Sequence, residues 1–113
     1  MIESRSYEEQ DIHVVKGDSL VPIEITVYDE DDELYDLDGA SVSFNIKQNK
    51  ADTTYQIEKS ESSGITIVDS VIRIESFDVN LSAGTYYYDV TVTYIFGFVA
   101  TILKGRFIVE DNI

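Results

Sequence analysis

The densest group of chemically capable side chains in this sequence is a run of carboxylates in its first third. Seven of the ten residues from 29 to 38 are aspartate or glutamate. Calcium is a hard cation that takes several carboxylate oxygens, so such a run could hold it. The candidate calcium ligands are Asp29, Asp31, Asp32 and Asp36. The spacing does not match the EF-hand loop, which also needs a glycine at its sixth position and a glutamate at its twelfth.

Two other interpretations of the acidic run stay open. Runs of like charge usually form solvated, self-repelling loops, which would make these carboxylates a plain surface feature. Contact with a basic partner would also relieve the crowding of like charges, so the run is a candidate contact surface. Its candidate partner-binding residues are Glu30, Asp31 and Asp32.

The sequence contains no recognisable catalytic constellation. His13 is the only histidine and there is no cysteine, so neither a histidine metal site nor a hydrolase triad can be built. None of the serines lies in a GxSxG motif, and nothing specifies which two of the 22 acidic residues would pair for glycoside hydrolysis. We therefore expect a protein that is not an enzyme and carries no cofactor.

The charge balance of this 113-residue chain narrows the choice of partners. Its 22 acidic and 8 basic residues give a net charge of −14. Nucleic acid is then a poor partner, because binding it requires cations, and an anionic membrane is disfavoured for the same reason. Residues 1–10 are too polar for a signal peptide, and no apolar run approaches the roughly 20 residues that span a bilayer. We expect a protein that is made in the cytoplasm and has no membrane anchor.

Apolar and polar residues alternate along most of the chain, which is the period of a β-strand. The alternation is clear in IEITV and SVSFNI, and the segment ITIVDSVIRI reads as a hairpin that bends at Asp69 and Ser70. Turn residues recur about every 8 to 12 positions, which is typical of an antiparallel sandwich or barrel.

The pattern predicts one all-β domain of seven or eight strands over residues 12–113. Residues 1–11 are polar and acidic, and we predict an arm there that becomes ordered only on a partner.

The segment GTYYYDVTVTY, residues 84–94, holds four of the eight tyrosines. Alternate side chains of a strand share a face, and one face of this strand is apolar enough for the core. Its tyrosine hydroxyls would then reach the rim or a backbone partner. That face consists of Tyr86, Tyr88, Val90, Val92 and Tyr94. The other face is predicted to be solvated, with Tyr87 as its one aromatic side chain, free for a partner.

Several stretches of the chain resemble one known module. Residues 83–94 follow the pattern AGxYxYDVxVxY, and the last strand follows TxLxGxFxV. Residues 16–47, KGDSLVPIEITVYDEDDELYDLDGASVSFNIK, look like the stretch GDT…DxDGxxxDLTGAxVxFxIK of the same module. Over residues 12–111 the chain is similar to the immunoglobulin-like domains of tailed-phage virion proteins, notably the N-terminal domain of baseplate upper proteins.

The resemblance implies an immunoglobulin-like antiparallel β-sandwich in which Leu37 fills part of the core. It also implies a part of a virion and not an enzyme. The family usually has a glycine in the loop where this chain has Asp31, Asp32 and Glu33. We therefore expect this loop to be wider and more acidic than the family's tight hairpin.

Residues 95–99, IFGFV, place two phenylalanines around a glycine at a predicted hairpin tip. Exposed apolar groups often mark interfaces, so this tip could insert between subunits. The alternative is that one phenylalanine folds back over the end of the sandwich. Alternation in the last strand predicts a further outward face that carries Ile102 and Ile108, with Lys104 and Arg106 on the same face. The predicted contact residues are Phe96, Phe98, Ile102, Ile108 and Tyr87, together with Glu30, Asp31 and Asp32.

These observations predict a structural or adaptor subunit of a tailed-phage particle, in its tail, baseplate or neck. Such a subunit would be made in the host cytoplasm, reside in the virion in several copies, and dock onto other virion proteins. Neither nucleic acid nor a membrane is expected as a partner. Two alternatives stay open: a decoration protein on the outside of the capsid, and a carbohydrate-binding surface module that uses Tyr87.

Overall fold

Strands form where the alternation of apolar and polar residues predicts them. The structure, a computed structural model, describes residues 2–4, 8–29 and 31–111, and these residues form ten strands and no helix. Eight of the strands have four residues or more, and two shorter ones precede them. The strands are β1 (Ile2–Ser4), β2 (Glu8–Glu9), β3 (Ile12–Val15), β4 (Ile23–Val27), β5 (Ser41–Lys47), β6 (Ile57–Ser60), β7 (Ile65–Val68), β8 (Val71–Ile74), β9 (Gly84–Thr93) and β10 (Val99–Glu110).

The strands form two sheets that pack as a sandwich. One sheet has the order β1-β4-β8-β7, and the other has the order β2-β10-β9-β5-β6, with β3 also paired to β10. In an immunoglobulin constant-type domain, strands A, B, E and D form one sheet and C, F and G the other. Here β1, β4, β8 and β7 take the first set of places, and β5, β9 and β10 take the second. The predicted all-β sandwich is confirmed.

All pairs among β4 to β10 are antiparallel, whereas β1, β2 and β3 pair in parallel with their neighbours. β1 lies along β4, and both β2 and β3 lie along β10. Glu8 is opposite Leu103 and Ile12 is opposite Phe107, so β2 and β3 follow β10 in one continuous register. Parts of the predicted 1–11 arm therefore pair with both sheets of the domain.

The core contains the apolar residues that alternation assigns to the inner faces of the sheets. Phe44 of β5 is fully buried and its ring lies 5.8 Å from that of Tyr88 and 6.2 Å from that of Phe77. Leu37 is buried as the family resemblance implies. Four of the five residues predicted for the inner face of β9 are buried, namely Tyr86, Tyr88, Val90 and Val92. Tyr94 is half-buried, because it follows the end of β9 and packs against Tyr35.

Two tyrosines of β9 use their hydroxyls to fix the ends of other segments. The Tyr86 hydroxyl donates a hydrogen bond to the backbone oxygen of Ser82 at 2.8 Å, four residues upstream. This is the tyrosine corner of immunoglobulin-like sandwiches, in which a tyrosine near the start of strand F bonds back to the chain that enters the strand. The Tyr88 hydroxyl donates to the backbone oxygen of Gln10, between β2 and β3. Burial raises the pKa of the Tyr88 hydroxyl.

A β-bulge in β10 overturns one predicted surface residue. Thr101 is opposite Thr91 and Leu103 is opposite Val90, so Ile102 is an extra residue between two consecutive pairs. A bulge reverses the face on which later residues point. Ile102 is therefore only 2% exposed and lies in the core beside Leu103. The prediction that Ile102 faces outward was wrong, because it assumed unbroken alternation along the strand.

Candidate interaction surface

The turn between β9 and β10 carries the most exposed large apolar side chain of the described residues, Phe96, and three further exposed apolar side chains beside it. Phe96 is 95% exposed and Phe98 is 67% exposed, and the residues on either side of them are also largely exposed. We call this set the apolar tip: Ile95, Phe96, Phe98 and Val99. The structure places both predicted phenylalanines on the surface, and their role in binding stays a prediction.

Backbone hydrogen bonds hold the apolar tip in one shape. The amide of Gly97 donates to the oxygen of Tyr94 at 2.8 Å, and the amide of Tyr94 donates to the oxygen of Phe98, also at 2.8 Å. This tight turn leaves Phe96 at its apex. The Phe98 ring lies 6.2 Å from the Tyr94 ring, so Phe98 leans toward the sandwich while most of its surface stays in water. Neither phenylalanine is folded back and buried.

The tip is joined to the loop between β4 and β5 at the same end of the sandwich. The rings of Tyr35 and Tyr94 are 4.9 Å apart. A β-carbon at position 39 would lie 2.7 Å from Cδ1 of Ile95, so the Ile95 side chain lies directly against Gly39. Burial and the neighbouring Tyr35 raise the pKa of Tyr94. The apolar tip therefore stands on a packed base of tyrosines and loop backbone.

The acidic run beside this base forms a tight turn, which we call the acidic turn (residues 29–33). Oδ1 of Asp29 accepts hydrogen bonds from the amides of Asp31 at 2.8 Å and Glu33 at 3.0 Å. The amide of Asp29 donates to the oxygen of Glu33 at 2.8 Å, and Tyr28 bridges to Leu34. The expectation of a wider loop was wrong. Glu30 lies outside the described residues.

The turn stays tight without glycine because Asp32 adopts a left-handed conformation. Its φ is +62°, a region that aspartate enters more readily than most residues. Asp32 thus takes the conformation that glycine usually provides in such a turn. The turn is therefore tight although it contains no glycine.

Replacing Asp32 with glycine should stabilise the protein by roughly 0.5–1 kcal/mol. The relief of about 1–2 kcal/mol of left-handed strain exceeds the extra unfolded-state entropy of glycine, which costs less than about 1 kcal/mol. Urea unfolding of the variant measures the change. Asp31→Gly is the matched control, since it removes the same charge at a position without positive φ, and it should not stabilise. Equal gains in both variants would show that charge, and not strain, is responsible.

The candidate calcium ligands are not brought together as a cation site. Asp29 uses its carboxylate to cap the acidic turn, and Oδ1 of Asp36 accepts a hydrogen bond from the amide of Asp38 at 2.9 Å. Within the described ranges, no group of three acidic, histidine or cysteine side chains is placed to hold a metal ion. Asp31 and Asp32 are exposed to solvent at the turn.

Tyr87 lies in a basic concavity on the outer face of the larger sheet. Lys47 of β5 and Arg106 of β10 are its direct cross-strand neighbours, and Nζ of Lys50 lies 5.3 Å from the centre of its ring. Lys104 lines the same concavity, which has a volume of about 600 Å³ and is also lined by Glu9, Asp11 and Asp89. Tyr87 is therefore half-buried among cations, whereas alternation predicted a free aromatic side chain. We call this feature the basic cleft (Lys47, Lys50, Tyr87, Lys104, Arg106).

One wall of the basic cleft is an ion pair that the sequence did not reveal. Oδ2 of Asp11 accepts hydrogen bonds from Nη2 of Arg106 at 2.6 Å and from its Nε at 3.1 Å, and Oδ1 accepts one from the Arg106 amide at 3.0 Å. These bonds hold the pKa of Asp11 below its ordinary value of 3.8 and raise that of Arg106. The pair ties the segment before β3 to β10.

The Asp11 pair should make stability depend on pH at the acidic end. Because the folded-state pKa is lowered, the contribution is present above pH 3.8 and is lost as the pH falls through the lowered value. Thermal unfolding of Asp11→Asn should therefore differ from wild type at neutral pH and converge with it in acid. The exposed Asp111→Asn change is the matched control. A difference that is independent of pH would contradict this role.

The last of the predicted contact residues lies on the outer face of the larger sheet. Ile108 lies on that face, opposite Thr85 and beside His13, and is half-buried. Nδ1 of His13 lies 3.3 Å from Oε1 of Glu110, and both side chains are largely exposed. His13 is thus a surface residue with a carboxylate neighbour.

Comparisons with known protein families and with curated proteins found no match. Within the described part of the chain, no helix is long and apolar enough to cross a membrane. The surface thus offers three chemically distinct features: the apolar tip, the acidic turn near it, and the basic cleft on the outer sheet face.

Proposed function

We propose that this protein is a non-enzymatic structural or adaptor subunit of a tailed-phage particle, in the tail, baseplate or neck. It docks onto a neighbouring virion protein by inserting its apolar tip. The observation that carries the proposal is Phe96, which stands 95% exposed at the apex of a hydrogen-bonded turn. Burying a phenylalanine side chain contributes about 1.5–3 kcal/mol. Docking would therefore gain the hydrophobic free energy that is absent while the Phe96 ring stays exposed to water.

The shape of the tip favours recognition over accidental exposure. A side chain that is held in its binding geometry before contact loses little conformational entropy on binding. The two backbone hydrogen bonds across residues 94–98 and the packing of Ile95 on Gly39 provide this order. Aromatic anchors that fill a partner's pocket are the residues that contribute most to many interfaces.

The virion assignment is supported by the resemblance of residues 12–111 to immunoglobulin-like domains of tailed phages. In that setting a small sandwich supplies loops and edges for assembly and performs no chemistry. The loops between β4 and β5 and between β9 and β10 meet at one end of this sandwich, as binding loops do in immunoglobulin variable domains.

Incorporation into particles tests the proposal. The variant Phe96→Ser/Phe98→Ser should fold as wild type does, because both side chains are largely exposed. In a phage that lacks the wild-type gene, its copy number in purified particles should fall by about tenfold or more, as expected when about 1.4 kcal/mol or more of docking energy is lost.

Val21→Ser is the matched control for this experiment. Val21 is 75% exposed but precedes β4, at the opposite end of the sandwich from the apolar tip. Its variant should be incorporated like wild type. Full incorporation of the double phenylalanine variant would contradict docking through the tip, and absence of the wild-type chain from the particles would contradict the assignment to a virion.

A further inference from the structure

The basic cleft concentrates positive charge on a strongly acidic protein. The chain has 8 lysines and arginines against 22 acidic residues. Half of those 8 cations line one concavity, namely Lys47, Lys50, Lys104 and Arg106, and the acidic residues Glu9, Asp11 and Asp89 line it with them. Lys47, Tyr87 and Arg106 lie side by side on three neighbouring strands, so their side chains share one patch of the outer face. The cations that these carboxylates do not neutralise favour a carboxylate-bearing ligand.

The two lysines at one side of the cleft have no acidic partner among the residues that the structure describes. Arg106 is paired with Asp11, and Lys104 lies opposite Asp89. Lys50 contacts the ring face of Tyr87 instead of a carboxylate. Lys47 and Lys50 are thus the cations to which an incoming carboxylate can bind without displacing an internal ion pair.

The acidic turn is the complementary feature on the same chain. Its residues Asp31, Asp32 and Glu33 are exposed, and the Asp29 cap holds their backbone in one conformation. The turn belongs to the end of the sandwich where β9 finishes, since Tyr35 packs against Tyr94. It projects carboxylates from a tight tip, which is the shape that can enter a concavity.

The cleft and the turn of one molecule cannot meet. Tyr87 lies six residues before the end of β9 at Thr93, which corresponds to about 20 Å along the strand. The acidic turn lies beyond that end of the strand, on a loop that is packed in place. Contact between the two features is therefore possible only between different molecules.

We propose that the basic cleft of one copy binds the acidic turn of a second copy, so that the protein self-associates. This deepens the proposed function by naming a second copy as one of the neighbours in the particle, and it rests on that function for its setting. A contact between two clefts would bring like charges together, whereas a contact between a cleft and a turn pairs opposite ones.

The overall charge gives this assembly a distinctive dependence on salt. Two molecules of net charge −14 repel each other over about 30 Å at 0.01 M salt, and over about 8 Å at 0.15 M. Near 0.15 M the general repulsion is screened while the local contact persists, and at 1 M the contact is screened as well. Association should therefore be strongest at intermediate salt.

Analytical ultracentrifugation of the purified chain over a range of concentrations and salt tests the proposal. Wild type should self-associate most strongly near 0.15 M salt. Lys47→Glu/Lys50→Glu and Asp31→Lys/Glu33→Lys should each weaken association by about tenfold or more. A mixture of the two double variants should associate again, since a reversed cleft then meets a reversed turn.

Single charge changes provide the matched control. Lys50→Glu should weaken association, whereas Lys16→Glu, which makes the same change in net charge beyond the end of β3, should not. A chain that stays monomeric at every salt concentration, or association that survives reversal of the cleft, would overturn the proposal. The Phe96→Ser/Phe98→Ser variant should self-associate like wild type, so failure here is distinguishable from failure of docking through the apolar tip.

Discussion

Phe44→Ala is expected to lower the free energy of unfolding by about 3–5 kcal/mol, the range for truncating a buried phenylalanine. Phe44 is fully buried and packs against the rings of Tyr88 and Phe77, so its removal opens a cavity between the two sheets. A domain of this size is stable by about 5–15 kcal/mol, so the loss is a large part of the total. Denaturant unfolding measures it.

Phe96→Ala is the matched control for this prediction. It removes the same atoms from a side chain that is 95% exposed, so its effect should stay within about 0.5 kcal/mol. The contrast between the two variants tests which phenylalanine belongs to the core and which is available to a partner. Comparable losses in both would mean that the tip is part of the folded core, against the arrangement described above.

Gly105→Ala is expected to cost about 1–3 kcal/mol or to detach the segment that joins β2 and β3, because there is no room for a side chain. A β-carbon at position 105 would lie 2.7 Å from the carbonyl carbon of Gln10 and closer still to its oxygen. Both are backbone atoms, and the same oxygen accepts the Tyr88 hydroxyl. The backbone of Gln10 therefore occupies the space that a side chain would need.

Thr101→Ala, at an exposed position of the same strand, is the control for β10 and should change stability by less than about 0.5 kcal/mol. A chain that lacks residues 1–11 provides a second test. Without Gln10 the Gly105→Ala change should cost little, since the clash is gone. An undiminished cost in the shortened chain would show that some other contact explains the effect.

Alternation predicted the strands because each of them buries one face and exposes the other. The hairpin at Asp69 and Ser70 formed as expected, with Ile65 opposite Ile74 and Ile67 opposite Ile72. The buried face of β9 was also predicted, since its apolar residues keep a period of two from Tyr86 to Val92. These features are local, so a local pattern is sufficient to reveal them.

Features that depend on distant residues were not predicted. A bulge adds one residue without changing composition, so nothing in the sequence marked Ile102 as buried. Asp11 and Arg106 are 95 residues apart, and no period connects them. Gly105 was the one available signal, because a glycine among inward-facing apolar residues often marks a close approach of another backbone.

The two interaction surfaces also differ in whether a local sequence pattern predicts them. The apolar tip could be predicted, because two phenylalanines around a glycine stand out in any sequence. The basic cleft could not, since its cations come from the end of β5, the loop after it and the middle of β10. Only the pairing of β5 and β10 on either side of β9 brings them to one place.

Hydroxyl-radical labelling of the protein, free and within purified phage particles, tests the central claim most directly. Mass spectrometry reads the oxidation of Phe96 and Phe98. If the apolar tip docks onto a neighbouring virion protein, both rings are oxidised readily in the free protein and are protected in the particle, while Val21 reacts similarly in both. Equal oxidation of the two phenylalanines in both states, or no trace of the chain in the particles, would contradict the account.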